Sequence, residues 1–249
     1  MKPKTVPVKN VLETFRAYEA IQEIDSDNTN VALLYGPQGA GKTRALSYLA
    51  SKKPCVLLRA RETWTKGSLL RTFLKEADRK DLIKGYHDDM FDEIVALLAA
   101  GSKTICIDEA NKLGKKETVL ELLRDLADTA LVPLMLCGSG DVTDMIHRRE
   151  REQYSGRVSE EIFFAPLDDQ DTRLVLDQVC EVDMEDELLQ FVKDATKPSF
   201  RRLWKAMRKV ESWALSQGIQ RVSLADWKKS GITFSAKPKD NKRKLGRKA

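Results

Sequence analysis

Short β-rich apolar runs that alternate with longer amphipathic stretches predict an α/β fold, a five-stranded parallel sheet covered by helices. A Gly-x-x-x-x-Gly-Lys-Thr segment directly after the first run, and an acidic pair closing the third, make that sheet the core of a phosphate-binding domain. After Pro166 the strand-like runs stop and only helical periodicity follows, which adds a small all-α unit.

Val31–Tyr35, Cys55–Leu58, Thr104–Asp108 and Val132–Cys137 are nearly continuous apolar runs, as expected of strands buried on both faces. Glu161–Phe164 suits an edge. Helices are expected at Lys42–Ser51, Gly67–Ala77, Asp89–Ala100, Glu117–Thr129 and Asp141–Glu150. In the third of these, Phe91, Ile94, Val95 and Leu98 share one face and Gly101 ends it. The all-α part reads as Asp169–Cys180, Met184–Thr196, Phe200–Gln217 and Leu224–Lys229, with Asp168, Ser199 and Ser223 as N-caps and Gly218 as a stop. The chain thus divides into an α/β core over 1–166, a helical unit over 167–236 and a basic tail over 237–249.

With 249 residues, 42% hydrophobic and 33% charged, the chain is long and apolar enough to bury a core without disulfides or a structural metal. Cys55, Cys106 and Cys137 each sit in an apolar run, where a reduced thiol acts as a small hydrophobe, and no Cys/His spacing suggests zinc. A reducing cytoplasm is the compartment this usage implies. The amino terminus lacks the apolar core of a secretion signal. The longest apolar stretch, Ala130–Cys137, is far below the ~18 residues that cross a bilayer. Of 43 basic and 38 acidic residues, seven and one lie in 237–249, leaving 36 and 37 in the body. The net charge of +5 therefore resides in the tail, which either meets a polyanion or is simply solvated.

Gly36-Pro37-Gln38-Gly39-Ala40-Gly41-Lys42-Thr43 is a complete P-loop opening a helix. Its glycines let backbone N–H groups converge on a β-phosphate at the helix N-terminus, Lys42 brings charge to the β/γ oxygens of ATP, and the Thr43 hydroxyl can reach Mg2+. Asp108 would orient the Mg2+ through water and Glu109 would polarise the attacking water. A glutamate directly after the aspartate favours hydrolysis over transfer to a small-molecule acceptor. Ser139, at the tip of the fourth run, is the candidate holder of the lytic water. Arg157, just before the fifth run, is placed to reach a neighbouring subunit's γ-phosphate, whereas His147, Arg148, Arg149 and Arg151 read as solvated surface.

These elements in this order resemble an AAA+ ATPase. The runs Ile107-Asp108-Glu109-Ala110-Asn111-Lys112-Leu113-Gly114, Cys137-Gly138-Ser139 and Lys197-Pro198-Ser199-Phe200-Arg201-Arg202-Leu203 resemble the transposition target-selection ATPases of the phage Mu B and TnsC kind, over roughly residues 6–230. The resemblance implies an AAA+ P-loop core with an all-α lid, ATP and Mg2+ as ligands, Asp108 and Glu109 as Walker B, Ser139 as sensor I, Arg157 as arginine finger and Arg201 as sensor II. Where phage Mu B has asparagine at sensor I, this chain has the shorter Ser139. Only 30 residues precede the first run, so the amino-terminal helix-turn-helix of the Mu protein is not expected. The resemblance further implies a homo-oligomeric filament or ring around double-stranded DNA that recruits or stimulates a transposase. Channel-facing DNA contacts then fall on Thr65 and Lys66 after the second run and on Lys84 and Tyr86 before the third helix. A replication initiator or helicase loader of AAA+ type is the alternative, followed by a non-hydrolysing nucleotide switch and a small-molecule kinase.

Overall fold

A computed structural model describes residues 4–22, 30–147, 156–197 and 199–234. The tail over 237–249 and the arginines 148, 149 and 151 lie outside the described residues. Strands β1 (Val31–Tyr35), β2 (Cys55–Arg59), β3 (Thr104–Asp108), β4 (Leu134–Gly138) and β5 (Val158–Phe163) form one parallel sheet in the order β2-β3-β4-β1-β5. The order puts β4 between β3 and β1, as the expected role of Ser139 requires, and puts β5 at an edge.

The burial of each strand follows from that order. β1, β3 and β4 are covered on both faces, whereas β5 alternates between half-buried and exposed residues. β2 departs from the expectation of full cover: it is the other edge, and Cys55, Val56 and Leu57 are only half-buried. β4 begins at Leu134 and not at Val132, since Pro133 has no N–H for the ladder and gives only its carbonyl, to Ile105 N–H at 3.0 Å.

Helices α1 (Lys9–Ala20), α2 (Lys42–Ala50), α3 (Lys66–Glu76), α4 (His87–Ala99), α5 (Glu117–Ala130) and α6 (Asp141–Ile146) surround the sheet, and α7 (Asp169–Val179), α8 (Asp186–Thr196), α9 (Phe200–Ser216) and α10 (Leu224–Lys229) form the all-α part. Alternation along β1 sorts the core into two layers. Ala32 and Leu34 face α1, α2 and the all-α part, and Val31 and Leu33 face α3 to α6. Truncating the fully buried Leu33 to alanine is expected to cost about 2–5 kcal/mol. The first of these clusters runs on without a break past Pro166, through Val175, Leu188 and Val210.

Two elements go beyond what the sequence pattern predicts. α1 arises because Val11, Thr14, Ala17 and Tyr18 recur at helical spacing and are buried, a signal obscured by the prolines and lysines before it. The helix is strapped to both parts of the chain, with Lys9 N–H on Asp171 Oδ1 at 3.0 Å and Asn10 Nδ2 on Ala165 O at 2.9 Å. The other is a two-residue parallel pair, β6 (Asp183–Met184) with β7 (Arg221–Val222), inside the helical part. Among the described residues no helix is long and apolar enough to cross a membrane.

Candidate nucleotide cleft and nucleic-acid surface

The P-loop connects the carboxyl end of β1 to α2, and its shape depends on glycine. Gly39 has φ +80° and a Cβ there would stand 2.5 Å from Ser199 Oγ, so the loop and the start of α9 touch only because the side chain is missing. Arg201 N–H then donates to Gly39 O at 3.0 Å, which fixes the first turn of α9 on the loop. α2 starts at Lys42 with no side-chain cap, leaving its first N–H groups turned to the loop. Lys42 Nζ donates to Gly36 O at 2.7 Å and Pro37 O at 2.9 Å. Burial pushes the Lys42 ammonium pKa down, and the nearby Cys137, Asp108 and Glu109 push the other way.

The acidic pair stands opposite. Thr43 Oγ1 donates to Asp108 Oδ2 at 3.0 Å, and Asp108 itself is buried. These are two oxygen ligands of the hard type that Mg2+ prefers, one on each wall of the cleft, so the residues fit that ion. Glu109 adopts a left-handed backbone (φ 59°), a conformation that costs a non-glycine residue roughly 1–2 kcal/mol. It turns the carboxylate out of the strand line, where Arg59 reaches Oε1 at 3.3 Å and Lys112 reaches Oε2 at 3.6 Å. Ser139 N–H donates to Asn111 Oδ1 at 3.3 Å, and a Cβ on Gly138 would stand 2.9 Å from the same oxygen. The asparagine therefore holds the tip of β4.

Pro37 O takes a Lys42 hydrogen bond, and Gln38, Gly39, Ala40, Gly41, Lys42, Thr43, Asp108, Glu109, Ser139 and Arg201 line one cleft of about 600 Å³. Arg201 thus lines the cleft from the helical part, while its neighbour Arg202 turns away to Ala195 O at 3.1 Å. Phe200 and Trp204 also line the cleft, their rings 5.9 Å apart, with the Arg44 guanidinium 5.1 Å from the Trp204 ring centre.

Arg157 is elsewhere. It precedes β5, and Val31 N–H donates to its carbonyl at 2.9 Å, which puts it at the amino end of the sheet, about 16 Å of strand away from the P-loop. Its guanidinium pairs with Asp128 of α5. The four residues singled out for nucleic acid do come together. A Cβ on Gly67 would stand 2.5 Å from His87 Nε2, so α3 and α4 begin side by side. Lys66, Lys84 and Tyr86 are exposed there, Tyr86 by 84%, and Thr65 caps α3 by accepting from Ser68 N–H at 3.3 Å. α3 follows β2 and α4 leads into β3, so this patch shares the carboxyl edge of the sheet with the cleft.

Sequence reasoning missed Arg59, Asn111 and Lys112. Arg59 ends β2 directly opposite Asp108 in the register, so adjacency of β2 and β3 alone would have identified it. Asn111 and Lys112 belong to a 3-10 turn, Ala110–Leu113, that follows the acidic pair.

Residues 25–146 match the family model described as an AAA domain. No curated protein matches the sequence. Among solved structures, the Aeropyrum pernix ORC2 protein in its ADPNP–ADP complexes is similar at a TM-score of 0.68 and 14% identity, over 92% of this chain and 70% of that one. The Thermotoga maritima RuvB Holliday junction branch migration motor follows at 0.58 and 17%, over 90% and 68%. Domain III of the Thermotoga maritima replication initiation protein DnaA is similar at 0.56 and 16%, over 91% and 90%. Residues 25–146 thus resemble an AAA domain, and the fold is that of the AAA+ P-loop proteins.

Proposed function

We propose that this chain is an ATPase that binds duplex DNA in an ATP-dependent way and regulates transposition, assembling as a filament or ring, selecting target DNA and stimulating a transposase. The observation that carries the reading is the meeting of Lys42, the Thr43–Asp108 pair and Glu109 in one cleft, at the same sheet edge as Lys66, Lys84 and Tyr86. Lys42 and the free N–H groups of α2 hold the phosphates. Thr43 directly and Asp108 through water would hold Mg2+, which would supply charge neutralisation on the phosphates. The Glu109 carboxylate accepts the proton of the attacking water, Ser139 orients that water on the platform set by Asn111, and Arg201 follows the phosphates from the helical part. Arg157 leaves Asp128 to complete a neighbouring subunit's cleft, as it is too far from its own. The transposition role rests on the Asp108–Gly114 and Lys197–Leu203 runs.

Electron microscopy with ATP and duplex DNA tests the assembly. Filaments or rings on the DNA are expected, and single particles under saturating ATP and DNA count against it. The likeness to ORC and DnaA supports a second reading, a replication initiator or helicase loader. Stimulation of strand transfer by the cognate transposase separates the two.

A further inference from the structure

Phe234, the last of the described residues, is held by three helices of the all-α part. Its ring stacks on Trp227 of α10, with centroids 5.1 Å and planes 13° apart, and lies 6.0 Å from Phe191 of α8. From α9, Lys209 Nζ donates to Thr233 O at 2.7 Å. The three helices differ in the charge they bring. α9 and α10 contribute Lys209, Lys228 and Lys229, all exposed. On α8, by contrast, Glu187, Gln190, Phe191 and Asp194 are exposed at the spacing of one helix face, which sets two carboxylates on either side of a ring. Glu187 forms no ion pair among the described residues. Asp194 meets Lys197 at 2.9 Å and Gln190 Nε2 at 3.0 Å, but both members of the ion pair are about half exposed, and such a pair exchanges at little cost.

We propose that this face of α8 is the docking surface of the chain's own basic segment, residues 237–249, and that duplex DNA displaces it. The displacement rests on the DNA-binding reading, whereas the docking rests on the α8 face alone. The segment carries seven basic residues and one acidic one. Lys237 stands three residues after Phe234, so at most ~10 Å of extended chain separates them. Glu187 and Asp194 each lie about one helical turn, ~5 Å, along α8 from Phe191. The first lysines of the segment are therefore tethered beside those carboxylates, which raises their effective concentration there. Like charge on Lys209, Lys228 and Lys229 disfavours a course over α9 or α10. Phe191, 42% exposed, gives an arginine such as Arg243 a ring to cover. Duplex DNA carries one charge per ~1.7 Å, much denser than two carboxylates about 10 Å apart, so it wins the segment when present. Docking thus lowers the share of the segment that is open to DNA.

Two measurements on the full chain test it, with Glu187→Gln/Asp194→Asn as the variant; both side chains are exposed, so the fold is kept. The first is limited trypsin cleavage without DNA, with loss of the segment followed by intact mass. At low salt the variant is expected to lose it about 3- to 10-fold faster than wild type, as two exposed ion pairs allow. The two rates should converge at about 0.5 M salt, where such pairs are screened. Equal rates at low salt overturn the docking, and wild-type protection that rises with protein concentration overturns the assignment to the chain's own segment. The second is affinity for a short DNA duplex at low salt. The variant is expected to bind several-fold more tightly, and the gain should vanish when residues 237–249 are deleted from both proteins. No gain overturns the displacement, and so does a gain that survives the deletion, since α8 then only repels DNA. A wild-type protein that binds no DNA refutes the DNA-binding reading and the displacement together, while the cleavage rates still decide the docking.

Discussion

The two ends of the five-stranded sheet carry the same kinds of charged side chain and use them differently. At the carboxyl end, Lys42, Asp108, Glu109 and Arg59 each serve two neighbours across β2, β3 and the P-loop, and Lys112 joins them through Glu109. At the amino end, Arg157 is matched to Asp128, whose second oxygen lies 3.9 Å from Arg124 Nε. A network of shared partners is easily rearranged by a phosphate that competes for its cations. The paired arginine at the other end, 18% exposed, lies away from the cleft of its own chain. Under the proposed function, the difference assigns Arg157 to the cleft of a second copy.

The largest expected effect comes from the amino end. Arg157→Ala should lower DNA-stimulated turnover by roughly 10³–10⁵, the range of arginine fingers, with ATP affinity kept. Mixing it with Lys42→Ala should restore activity, because each variant supplies what the other lacks. Steady-state phosphate release from the mixture checks this, and an inactive mixture of two folded variants would place Arg157 outside the reaction. Glu109→Gln should lower turnover by about 10²–10⁴ and leave nucleotide binding intact. Lys42→Ala acts earlier, on binding: removing the half-buried cation should weaken ATP by about 3 kcal/mol, or over ~100-fold, read by calorimetry. The two carboxyl-end variants should then behave oppositely on DNA, with Glu109→Gln retained and Lys42→Ala released.

A smaller effect is expected from Asn111→Ala. It removes the acceptor for Ser139 N–H, worth about 1 kcal/mol, and so costs up to ~10-fold in turnover at unchanged ATP affinity. The smallest effect concerns the thiols. Cys55 starts the half-covered β2 at the amino end, and a hydrogen bond from Cys106, with Lys53 nearby, holds its pKa down. Burial raises Cys137 well above the usual thiol range and pushes Cys180 up to about 12. As pH rises toward 8, the Cys55 thiolate forms first, so iodoacetamide should modify Cys55 and spare the others. Mass spectrometry of the labelled peptides checks it.

Much of this contrast was legible in the residues. The P-loop and the acidic pair announce themselves because phosphate chemistry restricts both residue type and spacing, and the buried strands β1, β3 and β4 because cover on both faces leaves an apolar run. β2 has the same run, yet it lies at an edge, since apolarity does not encode which neighbour is absent. The clamp on Glu109 stayed hidden for a related reason: Arg59 and Lys112 lie on either side of it in space but far apart in the chain from each other. The meeting of Lys66 with Lys84 and Tyr86 depends on Gly67 giving way to His87, a packing detail with no sequence pattern of its own.

The most direct test of the central claim is the DNA affinity of the protein lacking residues 237–249, measured with and without ATP across a salt series. A tail of seven basic residues would bind DNA by counterion release alone, indifferent to nucleotide. Under the proposed function, the surface at the starts of α3 and α4 would line up between copies only when ATP closes their interfaces. Affinity that falls on truncation but still rises with ATP at every salt concentration is the expected result. Equal affinity with and without ATP would contradict the account.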